Sequence, residues 1–314
     1  MSKTTRRRFI RTAAGGAAAA ILSPSGWAQA QQGVSLASAG TAEDRTARPR
    51  PIVEPRETRF SLGVASYTFR AFPLERAVEM TRRLGVGKIC LKDMHLPLDA
   101  STEAIAAAAG VVRASGLELY ACGVIYMKSA AEVERAFRYA RTAGAKTIVG
   151  VPDPGLLANV DRLARETGLR VAIHNHGPGD LLYPTPASVV DRVKNLSPLL
   201  GLCLDVGHTL RAGVDPARAA EDAGPRLLDV HLKDVSQAAA EGTTVEVGRG
   251  VVDLRAFLMA LDRLAYSGVL AFEHEKDEAD PFPGLAESVG YVRGMLAALD
   301  SGSGRLGGAA RRAA

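Results

Sequence analysis

Thr147-Ile148-Val149-Gly150-Val151 is apolar almost throughout, and Leu156 to Thr167 is amphipathic and closes on Gly168. Arg170-Val171-Ala172-Ile173 is apolar again and leads into His174-Asn175-His176. Together they spell strand, helix, strand. The alternation continues outward. Upstream lie the apolar runs Phe60–Ser66, Lys88–Leu91 and Leu117–Val124, and downstream Gly201–Leu204, Leu227–Val230 and Val269–Phe272. Amphipathic stretches separate them, among them Pro73–Leu84, Thr102–Ala114, Ala130–Ala143, Ala187–Lys194 and Leu254–Leu264. Several open on Pro, Ser or Thr and stop at a glycine: Gly85, Gly116 and Gly144. Most of the runs are continuously apolar, as strands covered on both faces should be. Eight such units between residues 59 and 300 are what an α/β fold of the (β/α)8 TIM barrel type requires. An open doubly wound sheet would show a glycine-rich first turn, and Ala65-Ser66-Tyr67-Thr68 is not one.

In such a barrel the C-terminal ends of the strands form the mouth where active sites are built. The six histidines of the chain, His95, His174, His176, His208, His231 and His274, all fall at or just past predicted strand ends. Convergence of all six on one rim is therefore expected. Asp93, Asp205, Asp234, Glu273 and Glu275 join them at the same level. A site of imidazole nitrogen and carboxylate oxygen without thiolate suits one divalent ion, Mn2+, Mg2+, Co2+, Fe2+ or Zn2+. Cys90, Cys122 and Cys203 lie within strands and read as small buried side chains, not disulfide partners.

The segments Ile173-His174-Asn175-His176-Gly177, Leu204-Asp205-Val206-Gly207-His208, Val230-His231-Leu232-Lys233-Asp234 and Phe272-Glu273-His274-Glu275 follow one another on successive strand ends. In this order the chain resembles the sugar phosphate isomerase/epimerase superfamily, the xylose isomerase-like TIM barrels, over roughly Phe60 to Leu299. The resemblance implies one divalent ion held from strands 5 to 8, by His174, Asp205, His231 and Glu273. In ketose epimerases of this group the strand-5 ligand is a glutamate that also shuttles a proton. Here the position reads His174, and His176 is a rival for it. The implied chemistry is abstraction of the proton α to a sugar carbonyl through a metal-stabilised enediolate. Lys92, His208, Lys233 and Glu275 are the proton-transfer candidates, and His95, His176, Arg211 and Arg249 the candidates for binding substrate.

The expected function is a sugar isomerase/epimerase-type enzyme, with a keto-sugar or 3-keto-glycoside dehydratase or lyase as the alternative on the same site. An endonuclease IV-like repair enzyme and a non-catalytic sugar-binding barrel are weaker readings. The net charge of +5 invites the first of these two. However, Lys3, Arg6, Arg7, Arg8 and Arg11 all precede Ala30, where there is no acidic residue. The remainder therefore carries 34 basic residues of the chain's 39 against all 34 acidic ones. That remainder is formally neutral, and no nucleic-acid partner is expected.

Those five charges read as an address. Thr5-Arg6-Arg7-Arg8-Phe9-Ile10-Arg11 resembles the twin-arginine export signal. A mild Ala/Gly-rich stretch and Ala28-Gln29-Ala30 follow, too short for a permanent membrane span. The expected layout is a signal peptide over 1–30, a flexible linker over 31–58, the barrel over 59–300 and a disordered tail over 301–314. A periplasmic location follows, with a small-molecule sugar and the twin-arginine export machinery as partners; homo-oligomer formation stays open. Trp27 is the only tryptophan. The exported protein, cleaved after Ala30, should show no tryptophan emission, and a fluorescent mature protein would overturn the cleavage site.

Overall fold

The computed structural model describes residues 59–307, with side chains through Ser301; the expected signal peptide and linker lie outside the described residues. Eight parallel strands are formed: β1 (Ser61–Ala65), β2 (Lys88–Leu91), β3 (Glu118–Met127), β4 (Thr147–Pro152), β5 (Arg170–His174), β6 (Leu200–Asp205), β7 (Leu227–Leu232) and β8 (Val269–Phe272). Each pairs with its sequence neighbours. β8 returns to β1 in the register Ser61↔Val269 to Val64↔Phe272, which closes the barrel. This is the (β/α)8 TIM barrel expected. Its strands are apolar because helices cover them outside and side chains fill them inside; every residue of β4 and β6 is buried.

The outer layer is α1 (Leu74–Arg83), α2 (Thr102–Ala114), α3 (Ala130–Ala143), α4 (Leu157–Thr167), α5 (Pro186–Val193), α6 (Val206–Arg211), α7 (Pro216–Ala223), α8 (Leu254–Arg263) and α9 (Phe282–Gly307). Their starts are chemical. Ser101, Ser129, Asp215 and Asp253 accept a backbone N–H from the first turns of α2, α3, α7 and α8, and Thr185 forms a capping box with Ser188 on α5. α3 and α4 stop at Gly144 and Gly168 in the left-handed conformation. Phe69, Phe137, Phe257 and Phe272 are essentially fully buried between the layers, each worth about 1.5–3 kcal/mol of transfer free energy.

Three departures from the sequence pattern matter. α6 and α7 both follow β6, where no amphipathic stretch stands out. Six residues of α6 are too few for helical periodicity to register, and α6 forms because the Asp205 carboxylate caps it. β3 runs three residues past Val124 and brings Tyr126 to the mouth. α9 reaches Gly307, into the segment read as a tail, and residues 308–314 lie outside the described residues. No helix of the described residues is long and apolar enough to cross a membrane.

The β7–α8 connection carries a short antiparallel pair, Asp234–Val235 with Thr244–Val245. Asp234 organises it. Oδ1 accepts from the N–H groups of Val235 (2.8 Å) and Val252 (3.1 Å), and Oδ2 from those of Gly248 (2.9 Å) and Gly250 (3.1 Å). A side chain at position 250 would fall on this carboxylate, so only glycine fits. Asp234→Ala strands four backbone donors at a buried position. It is expected to cost about 3 kcal/mol, read as a lower urea midpoint at unchanged m-value.

Candidate metal centre

Side chains alternate across a strand, so one parity of each strand faces the barrel interior. On β5 that parity ends at His174, on β6 at Asp205, and on β7 it includes His231 and then Lys233. Glu273 and Glu275 continue it beyond β8. β6 and β7 place Asp205 directly opposite His231. One ligand atom each from His174, Asp205, His231 and Glu273 lie within 4.8 Å of one another, and all four residues are buried.

Their geometry fits a divalent ion. Asp205 Oδ2 is 3.5 Å from His174 Nε2, and Glu273 Oε2 is 3.3 Å from His231 Nδ1. Ligand bonds of about 2.0–2.2 Å set donors at roughly these separations. Among the described residues no hydrogen-bond partner serves either ring nitrogen of His174 or His231, or Asp205 Oδ2. Buried polar atoms left without hydrogen bonds, one from each of these residues at the cluster, would be costly unless something binds there. Cys203 also comes within 4.8 Å of His174 and His231. Burial holds its thiol well above the usual range, so the two carboxylates make the stronger donor set.

The ligands are anchored from behind. Asp205 Oδ1 accepts from the His208 N–H at the start of α6 (2.7 Å), which leaves Oδ2 for the cluster. Asn175 Oδ1 accepts from Asp205 N–H (3.0 Å), its Nδ2 donates to Thr209 Oγ1 (3.1 Å), and Thr209 Oγ1 donates to Asp205 O (2.6 Å). Asn175 and Thr209 thus lock β5, β6 and α6 together. Neither stood out in the sequence, although Asn175 sits inside the HNH triplet. Lower in the barrel, Tyr120 donates to the buried Asp229 carboxylate (3.2 Å), whose pKa burial pushes up to about 6.

One buried cation sits among three carboxylates and offsets part of their charge. Lys233 Nζ lies 3.1 Å from Asp205 Oδ2, 3.1 Å from Glu273 Oε2 and 3.0 Å from Glu275 Oε1, with its side chain 1% exposed. It hydrogen-bonds Glu273 and Glu275, and meets Asp205 as an ion pair without hydrogen-bond alignment. Burial alone would raise the Asp205 and Glu273 carboxyls, yet His208 and Lys233 take Asp205, and Lys233 and His231 take Glu273, well below the usual carboxylate range. Burial opposes the charge on Lys233, and the carboxylates outweigh it, so its pKa stands well above the usual. His174 is pushed down to about 3, chiefly by burial. His176 and His208 are lowered too, burial being the main cause.

Four of the six histidines converge: the His174 ring is 4.4 Å from His176, 4.9 Å from His231 and 6.0 Å from His208, centroid to centroid. The contest on strand 5 goes geometrically to His174. His176 turns to Tyr126, whose hydroxyl is 3.2 Å from its Nε2, and stacks on that ring. Tyr126 was missed because it lies beyond the predicted end of β3. Gly177 lets this loop close on α6: a side chain there would meet the His208 backbone at 2.9 Å.

The other two histidines depart from the expected convergence. His95 was expected to touch substrate, but its Nδ1 is 3.0 Å from Ser66 Oγ and its Nε2 meets the carbonyls of Phe69 (3.2 Å) and Phe72 (3.1 Å). It is a strut under the loop after β1. His274 has the opposite parity to Glu273 and Glu275; its N–H bonds Thr68 Oγ1, and its ring faces Gly284 of α9. The arginines are engaged away from the cluster. Arg249 forms a two-armed pair with Glu287, and Arg211 donates to the carbonyl of Ala240. Lys92 Nζ donates to Val124 O (3.2 Å) and stands 4.0 Å from Asp93. Glu275, half-buried, is the outermost carboxylate of the Lys233 cluster.

The family described as xylose isomerase-like TIM barrel matches residues 74–295. An inosose dehydratase of Bacillus thuringiensis (strain Al Hakam) is 27% identical over 155 residues, 44% of this chain and 51% of its own length. The chain thus spans about half the length of the curated relatives it matches. Among solved structures, an L-ribulose 3-epimerase is 18% identical with a TM-score of 0.66, covering 78% of this chain and 97% of its own. An IOLI protein with a bound zinc atom is 19% identical with a TM-score of 0.61, covering 76% and 96%. At these identities the two structures speak for the fold.

Elemental analysis of the purified protein should find about one divalent ion per chain, and Asp205→Ala or Glu273→Ala should release it. A metal-free wild type would overturn the centre.

Proposed function

The chain belongs to the xylose isomerase-like TIM barrel family, and we propose that it is a divalent-metal-dependent enzyme that removes the proton α to a carbonyl of a sugar or keto-sugar. The observation that carries this reading is the buried set of His174, Asp205, His231 and Glu273, with ring nitrogens and a carboxylate oxygen that no group among the described residues hydrogen-bonds. These four would hold the ion. When bound, it supplies Lewis acidity toward a carbonyl and its neighbouring hydroxyl.

The remaining groups divide the proton work. His208 and His176 are kept neutral at pH 7 because burial lowers their pKa values. A neutral imidazole with a free nitrogen can take a proton, and His208 Nδ1 is buried without a hydrogen-bond partner among the described residues. Lys233 is held cationic by its carboxylates, so it acts as a donor, with Glu275 beside it at the half-buried edge. Lys92, partly buried beside the Tyr67 ring, orients a substrate hydroxyl.

This division favours elimination over epimerisation. Inverting a centre needs a proton carrier on each face, and here the strand-5 position is His174, whose pKa falls to about 3. Loss of a β-hydroxyl needs only one base and one acid: the base takes the α-proton, Lys233 protonates the departing hydroxyl, and water leaves. The similarity to inosose dehydratases supports the same outcome. A keto-sugar, inosose or 3-keto-glycoside is the substrate class. The twin-arginine motif at Thr5–Arg11 supports a periplasmic setting, and with it an unphosphorylated substrate.

The test is NMR in D2O with a panel of these compounds and Mn2+ or Co2+ present. Expected is a dehydrated product with loss of the α-proton signal, cut at least a hundredfold by Glu273→Ala. Deuterium exchange that yields only the epimer would overturn elimination, and unchanged turnover under chelator would overturn the metal.

A further inference from the structure

Lys233 deserves a role of its own, because its ammonium sits on the same two oxygens that face the ion site. Asp205 Oδ2 and Glu273 Oε2, each 3.1 Å from Nζ, are also the atoms nearest His174 and His231. A divalent ion on the same two oxygens would repel the ammonium strongly, because the lysine side chain is 1% exposed and little water is there to screen the two. The third partner differs. Glu275 Oε1 is 3.0 Å from Nζ, and its side chain is 30% exposed, further from the ring nitrogens' enclosure. The stem packs over Gly207, where a side chain would meet Lys233 Cγ at 2.9 Å and Cδ at 3.0 Å, so the lysine lies in a groove that glycine leaves open. A short swing of the head toward Glu275 suffices.

We propose that Lys233 is a tethered counter-cation of this centre. Without a divalent ion it offsets part of the charge of Asp205 and Glu273; when the ion binds, the ammonium leaves those two oxygens and rests on Glu275. The inference depends on the metal-binding reading above. Two properties follow. The ion-free protein keeps its buried carboxylates partly compensated and stays folded, and affinity for the ion is held below what the four donors alone would give. The displaced ammonium is also delivered to the edge where a substrate hydroxyl would lie, so the donor is presented only when the ion is present.

The experiment titrates Co2+ into the EDTA-stripped mature protein against a chromophoric chelator, with thermal melts of stripped and loaded forms. Lys233→Met should tighten Co2+ binding at least tenfold, lower the melting temperature of the stripped form and enlarge the upshift on loading. Glu275→Gln, at a partly exposed position, should do the opposite and weaken Co2+ binding, because the displaced ammonium loses its resting place. It keeps the test decisive if Lys233→Met does not fold. Equal affinities in wild type and Lys233→Met, with stripped and loaded forms destabilised alike, would show a plain structural lysine and overturn the proposal while leaving the metal centre standing. The same holds for Glu275→Gln that binds Co2+ as wild type does. Failure of the wild type to bind Co2+, Zn2+ or Mn2+ would overturn both.

Discussion

Strand parity in a closed barrel is the constraint on which the mouth depends. Successive side chains point to opposite faces, and the register of the barrel sets which inward positions meet. Asp205 stands opposite His231 because β6 and β7 pair that way; His174 reaches the same level from β5, and Glu273 one step beyond β8. The same rule separates neighbours in sequence. Glu273 and Glu275 face Lys233, whereas His274 between them faces α9. Lys233 enters the cluster, whereas Asp234 next to it turns away to gather four backbone N–H groups.

A second dependence links the fold to the electrostatics. Asp205 is at once the last residue of β6, the cap of α6 and a member of the donor set. Its two oxygens divide the work: Oδ1 is held by a backbone N–H, and Oδ2 remains for the cluster. The helix start and the orientation of the carboxylate therefore cannot vary independently, which is why a helix of only six residues is stable here. The carboxylates can lie so deep because Lys233, itself buried, compensates them at about 3 Å. A lone buried carboxylate would instead take up a proton.

Much of this was legible in the chain. Continuous apolar runs at regular spacing reported strands covered on both faces, and with the intervening amphipathic helices they reported the barrel. The ligand types were legible as well, since His174, Asp205, His231 and Glu273 stand at strand ends in four short segments. His95 and His274 looked equivalent to them, because both follow strands. Tyr126 and Asn175 carried no comparable signal: one lies past the expected end of β3, and the other is a polar residue flanked by two histidines. The arginines at 211 and 249 show how partners outside the local pattern change a reading. Loop residues near a mouth look available for substrate until their partners, Ala240 and Glu287, are seen.

Taken by itself, the sequence determined the architecture, the neutrality of the chain beyond residue 30 and the chemical kind of donors at the barrel mouth. These are properties of pattern and composition, carried by local periodicity and by residue type. Only the tertiary structure decided which histidine joins the donor set, which way each carboxylate faces, and that Lys233 shares its oxygens. Those outcomes depend on distances between residues 26 to 99 positions apart in the chain, from the pair Asp205 and His231 to the pair His174 and Glu273. Barrel closure and stagger set these distances, and no local pattern encodes them.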